Sequence, residues 1–169
     1  MKVIKARLLL TLSVILLSFV TSASDVTINV HGSVVATPCT TILSDIDVDF
    51  GDIFSTTLDS AGASTDWKEI KLDLDGCPVG TSSVNIKFSG APSVVDNNYY
   101  LNSGTAEDIV LELQDSDSTL LKNNESRTMD VNFLTGKASF PVKVRVRSLT
   151  GNPTDGTISS TISVSYTYN

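Results

Sequence analysis

From residue 26 onward the chain alternates apolar and polar positions in short runs. Val26, Ile28, Val30, Gly32 and Val34 are interleaved with Thr27, Asn29, His31 and Ser33. The same period recurs at Ile46, Val48 and Phe50; at Ile70, Leu72 and Leu74; at Val84, Ile86 and Phe88; at Ile109, Leu111 and Leu113; and at Val142, Val144 and Val146. It returns at Ile158, Ile162, Val164, Tyr166 and Tyr168. A period of two puts one set of side chains on a core face and the other in water, so each run predicts a strand. Turn-forming clusters separate the runs: Ser60–Ala63, Gly76–Gly80, Ser89–Pro92, Asp115–Ser118 and Thr150–Pro153. Gly, Pro, Asn and Asp supply the backbone angles that turns require. No segment sustains a helical period. The pattern predicts one all-β domain, an immunoglobulin-like β-sandwich.

The two ends are unusual. The run from Val26 to Ala36 covers 11 residues, about 36 Å when extended and roughly twice the length of a typical strand. Pro38 stops it, because proline cannot donate to a ladder. Such a run can be a long first strand packed on its own domain. The run from Thr157 to Asn169 is also long and ends with the chain. A long apolar edge needs cover. A spare strand at one end and an open edge at the other can satisfy each other between molecules, by β-strand addition.

The first 23 residues change the picture of the mature chain. Lys2, Lys5 and Arg7 precede an apolar stretch from Leu8 to Val20, and Thr21-Ser22-Ala23 follows. A basic start, a short apolar run and a small-residue exit predict a secretory signal peptide over 1–23, cut after Ala23, with a cut after Ser24 as the alternative. The apolar stretch falls short of the roughly 20 residues of a membrane span, and no direct membrane insertion is expected. Those residues hold three of the twelve basic residues and none of the nineteen acids, so the remaining 146 residues carry a net charge of −10. That balance argues against nucleic acid and anionic membrane surfaces as partners. Cys39 and Cys77 are the two cysteines, and in an exported chain they predict one disulfide.

Candidate chemistry is sparse. His31 is the single histidine, and it falls on the polar side of the first run, away from any serine elbow. Asp45, Asp47 and Asp49 share one face of a predicted strand, which suits a solvated face better than a calcium loop. Trp67, Tyr99 and Tyr100 could stack on a sugar, and Trp67 is out of phase with Ile70, Leu72 and Leu74. Asn124-Glu125-Ser126 fits a glycosylation sequon and is read as chance. No catalytic residue, metal site or cofactor is expected.

Several blocks point to a family. They are Asp25 to Cys39, Val48-Asp49-Phe50-Gly51-Asp52, Ser60–Ala63 with Trp67, Cys77 to Ser82, Gly104-Thr105-Ala106 leading to Leu111–Asp115, and the closing Ile162 to Asn169. With these the chain resembles the pilin-domain subunits of chaperone–usher fimbriae, and among them the FimG-like minor tip adaptors of type 1 fimbriae. The likeness weakens between Leu120 and Lys137. It implies an incomplete immunoglobulin-like sandwich over 39–169, closed in trans by a donor strand, with an N-terminal donor-strand extension over 24–38. Val26, Ile28, Val30, Gly32 and Val34 would enter a neighbour's groove, Gly32 at a shallow pocket. Ile162, Val164, Tyr166 and Tyr168 would line this subunit's own groove, and Asn169 would present its carboxylate to a periplasmic chaperone. The implied partners are that chaperone, an outer-membrane usher and neighbouring subunits, a tip adhesin among them. The implied location is the fimbrium, reached through the periplasm. A major rod pilin shares the same mechanics. A secreted lectin domain is the remaining alternative, disfavoured because two-domain fimbrial adhesins carry an additional lectin domain for which this chain has no room.

Overall fold

The computed structural model describes residues 26–34 and 37–168. The signal peptide expected over 1–23, Val35 and Ala36 of the first run, and Asn169 lie outside the described residues. Two units are distinguished, one ending at Val34 and one beginning at Val35. In the first, residues 26–34 have no regular secondary structure, and Val26, Ile28, Val30 and Val34 are exposed.

The second unit is built from β1 (Thr40–Thr41), β2 (Lys68–Asp75), β3 (Ser83–Gly90), β4 (Tyr100–Leu101), β5 (Ile109–Asp115), β6 (Ser126–Asp130), β7 (Ala138–Ser148) and β8 (Ile162–Tyr168), with one 3-10 turn at Ser55–Thr57. Every ladder is antiparallel. One sheet has the order β1-β2-β7-β5-β4, the other β6-β3-β8. The predicted alternation is what lets the two sheets pack. Ile70 pairs with Val142 and Leu113 with Val144, so the apolar sets of β2, β7 and β5 share a face. Val84, Ile86 and Phe88 of β3 bury their side chains against that face. Phe88 meets Phe140 across the sandwich, ring centroids 6.1 Å apart.

The outer face of the larger sheet is covered as well. Val110 and Glu112 alternate with the inward residues of β5, yet both are buried. Cross-strand pairing explains this: Glu112 lies opposite Arg145, and Val110 opposite Arg147. The Glu112 carboxylate accepts hydrogen bonds from Arg145 at 2.8 Å and Arg147 at 3.1 Å. The Arg145 guanidinium stacks 4.2 Å from the centre of the Trp67 ring. Burial alone would push the Glu112 carboxyl up, but the hydrogen bonds from the two arginines outweigh it and hold it below the ordinary glutamate value. A depressed carboxyl contributes stability above its unfolded pKa and loses it as pH falls through the folded one. Replacing Glu112 by leucine strands two guanidinium groups and should cost about 3 kcal/mol, read as a lower denaturant midpoint at pH 7. The difference from the parent chain should shrink in acid. An equal penalty at pH 7 and pH 3 would remove the ion cluster from the explanation.

Cys39 and Cys77 are disulfide-bonded, which ties the start of β1 to the loop after β2. Changing both to serine should cost up to about 4 kcal/mol on the loop-entropy model, measured by urea unfolding.

Besides the first run, whose residues 26–34 form no strand, two predicted strands differ from what is observed. Ile46, Val48 and Phe50 lie in a stretch without strand hydrogen bonding, so Asp45, Asp47 and Asp49 do not share a strand face. Asp49 accepts the Gly51 amide at 2.7 Å in a local turn instead. Val48 and Phe50 nevertheless pack on the core. At the other end, residues 157–161 precede the strand and do not belong to it. They are held by the crossing at 102–106: Ser103 donates to the Ser159 carbonyl at 2.7 Å and Ala106 to the Thr157 carbonyl at 3.1 Å. This crossing needs Gly104, where a Cβ would collide with the Thr157 carbonyl oxygen.

Candidate functional site

The site is the edge of the smaller sheet formed by β8. β8 pairs with β3 along its whole length, Val84 opposite Tyr168, Ile86 opposite Tyr166, Val164 opposite Phe88 and Gly90 opposite Ile162. Its other edge has no ladder partner among the described residues. The two strands present their apolar sets to the same core, with different results. Val84, Ile86 and Phe88 are 0%, 0% and 1% exposed. Their direct neighbours Val164, Tyr166 and Tyr168 are only half-buried, as is Ile162. Residues of the same face, one strand apart, therefore differ because no described residue pairs along the far side of β8.

A shallow pocket marks this opening, lined by the apolar side chains of Ile42, Leu43, Ile46 and Leu72 and by Tyr166, with Lys71 and Asp73 at its margin. Ile42, Leu43 and Ile46 are exposed hydrophobics of the stretch after β1. The sandwich thus has two apolar borders, residues 42–50 and β8, with an unfilled strip between. A strand needs a hydrogen-bonded neighbour, and neither border has one on this side. That accounts for the absence of a strand at Ile46–Phe50, whose side-chain alternation is of the right kind. Burial lifts the Tyr166 phenol above its ordinary value, with Tyr168 and Asp73 nearby adding to it. The Tyr168 hydroxyl donates to the Cys39 carbonyl at 3.4 Å, so the end of β8 meets the root of the disulfide.

The residues singled out in the sequence separate into groups. Ile162, Val164, Tyr166 and Tyr168 fall together on the opening, and Asn169 lies outside the described residues. Val26, Ile28, Val30, Gly32 and Val34 form the exposed segment described above, and His31 is exposed with them. Ile42 and Leu43 belong to the opening and were missed; two consecutive apolar residues directly after Cys39 were the available clue. The sugar-stacking trio does not assemble. Tyr100 is fully buried, its hydroxyl without a partner and pushed up to about 12 chiefly by burial. Trp67 lies under Arg145 and Lys143, and Tyr99 under Arg147.

The comparisons with known proteins identify the family of this sandwich. The family model for fimbrial protein matches residues 28–169. Protein FimG of Escherichia coli K12 is 44% identical over 168 residues, 99% of each chain. The S-fimbrial adhesin protein SfaS of Escherichia coli O6:K15:H31 is 33% identical over 165 residues, 98% of each chain. Among solved structures, the P pilus rod subunit PapA superposes with a TM-score of 0.66 at 14% identity, covering 79% of this chain and 100% of that one. The chain belongs to the fimbrial protein family. It is a FimG-like pilin with the immunoglobulin-like fold of pilus subunits, and its place is the fimbrium.

Proposed function

We propose that this chain is a non-catalytic building block of a chaperone–usher fimbria, most simply a minor tip adaptor, joined to its neighbours by strand donation. The extension over 24–38, freed by removal of the signal peptide, is the donor. Val26, Ile28, Val30 and Val34 fill a neighbour's groove, and Gly32 sits over its shallow part. The strip between residues 42–50 and β8 is this chain's own acceptor groove, with Ile162, Val164, Tyr166 and Tyr168 along one side. During passage through the periplasm a chaperone covers that groove and holds the Asn169 carboxylate, and at the outer-membrane usher the next subunit's extension takes its place. The neighbours include a tip adhesin, and adhesion of the cell follows from holding it out. The observation that supports this most is the half-burial of Val164, Tyr166 and Tyr168 beside a β3 that is sealed. A long exposed segment of alternating apolar residues supports the other half.

Gly32→Leu tests the donor side. A Cβ on Gly32 meets nothing within 4 Å, so the chain's own stability should stay within about 0.5 kcal/mol of the parent. Insertion of the extension into a neighbour should slow about tenfold or more, because an overfilled shallow pocket costs roughly 1–3 kcal/mol. Assembly kinetics followed by denaturing gel shift measure this, and an unchanged rate would remove the shallow-pocket assignment. Co-purification from periplasm tests the chaperone: the chain should emerge with a second protein bound.

A further inference from the structure

One end of the sandwich carries apolar side chains that the open groove does not explain. Phe133 and Leu134, at the tip between β6 and β7, are 87% and 80% exposed, and Val79, in the loop after β2, is fully exposed. The two loops are joined: the Cys77 amide donates to the Gly136 carbonyl at 2.9 Å, and the Val131 amide to the Ser82 carbonyl at 3.0 Å. Gly136 is at φ +63°, and a Cβ there would stand 3.1 Å from the Cys77 carbonyl oxygen. The tip is thus fixed against the disulfide loop. Through the Cys39–Cys77 disulfide it sits at the end of this unit that holds Cys39.

We propose that Val79, Phe133 and Leu134 form a docking face for the neighbouring subunit that receives this chain's extension. The inference rests on the donor-strand proposal and adds a second contact to it. Chain length carries the argument. Only residues 35–38 separate Val34 from Cys39, so a neighbour holding Val34 is kept within about 17 Å of Cys39. A tether that short brings the neighbour's body against this end. Three side chains are far too few for a free-standing interface, which needs about 1,200 Å² or more of buried surface. A tethered neighbour needs much less, because the tether supplies the effective concentration. A small apolar patch at the root of a short tether therefore suits this occupant and no free partner. An added strand that continues the antiparallel pattern of all the ladders would bring the root out where the acceptor's last strand begins. In this chain that end carries the exposed Val94 and Val95, in the loop following Gly90. Apolar patches at opposite ends suit a head-to-tail fibre, whose contacts are heterologous.

Thiol labelling of the full chain tests this. Single cysteines are introduced by Leu134→Cys, by Val30→Cys as a reporter of strand insertion, and by Asp117→Cys at an exposed turn. Each is reacted with a maleimide in unassembled chain from periplasm and in intact fibres sheared from cells. The proposal expects position 134 to label about tenfold more slowly in fibres, as a contact closed nine-tenths of the time would give. Position 30 should be protected as well, and position 117 should label equally in both. Equal labelling at 134 with position 30 protected would overturn the docking face while leaving strand donation intact. Free labelling at 30 in fibres would overturn strand donation and the docking face with it.

Discussion

Deleting residues 24–36 is expected to leave a folded domain that no longer joins the subunit ahead of it. Val26, Ile28, Val30 and Val34 are exposed, so their loss removes no buried apolar surface, and the denaturant midpoint should stay close to that of the parent. In a neighbour's groove the same four side chains would each contribute roughly 1.5–3 kcal/mol on burial. Losing them, along with the ladder hydrogen bonds, should weaken the junction by about 10⁴-fold or more. In fibres, the truncated chain should be undetectable by immunoblot. In periplasm, it should still be recovered with its own groove occupied. Normal incorporation would mean that the extension is not the connector.

A charge in the groove should do the reverse, sparing the donor and disabling the acceptor. Val164→Asp is the sharpest case. Val164 lies opposite Phe88 and faces the core, but it is only half-buried while the strip is unfilled. In the open chain the new carboxylate keeps access to water, and the loss should be about 1 kcal/mol. Once a strand covers β8 the same carboxylate is taken out of water without a partner, which costs several kcal/mol. Strand uptake should fall at least about 10³-fold, while the variant's own extension still inserts elsewhere. An ordinary core position would behave differently, since the penalty would appear in full in the isolated chain. The ratio of the two effects therefore distinguishes a groove wall from a core residue.

The fold was largely legible because alternation is local. The apolar sets of β2, β3, β5, β7 and β8 were read correctly, since each strand has one face on a single core. The failures share a cause. Ile46, Val48 and Phe50 have the strand pattern, but a strand also needs a neighbour to bond to, and no described residue supplies one on that side. Alternation alone places Glu112 on the outer face of β5, yet it is buried. Its burial depends on Arg145, Arg147 and Trp67, which are distant in sequence and meet it only through strand pairing. Tyr100 looked available for stacking for the same reason, and long-range packing buries it. The argument from length against an adhesin also weakens, because the S-fimbrial adhesin protein SfaS is matched over 98% of its own length. Against a sugar site of the proposed kind stands the packing of Trp67, Tyr99 and Tyr100 themselves.

Hydrogen exchange along β8 tests the central claim most directly. The amides of Ile162–Tyr168 that point away from β3 should exchange rapidly in the unassembled chain once its groove is emptied. In fibres they should become strongly protected, because only a strand bonded to that edge can shield them. Protection already complete in the emptied chain, and unchanged on assembly, would mean that the sheet is closed from within and the account is wrong.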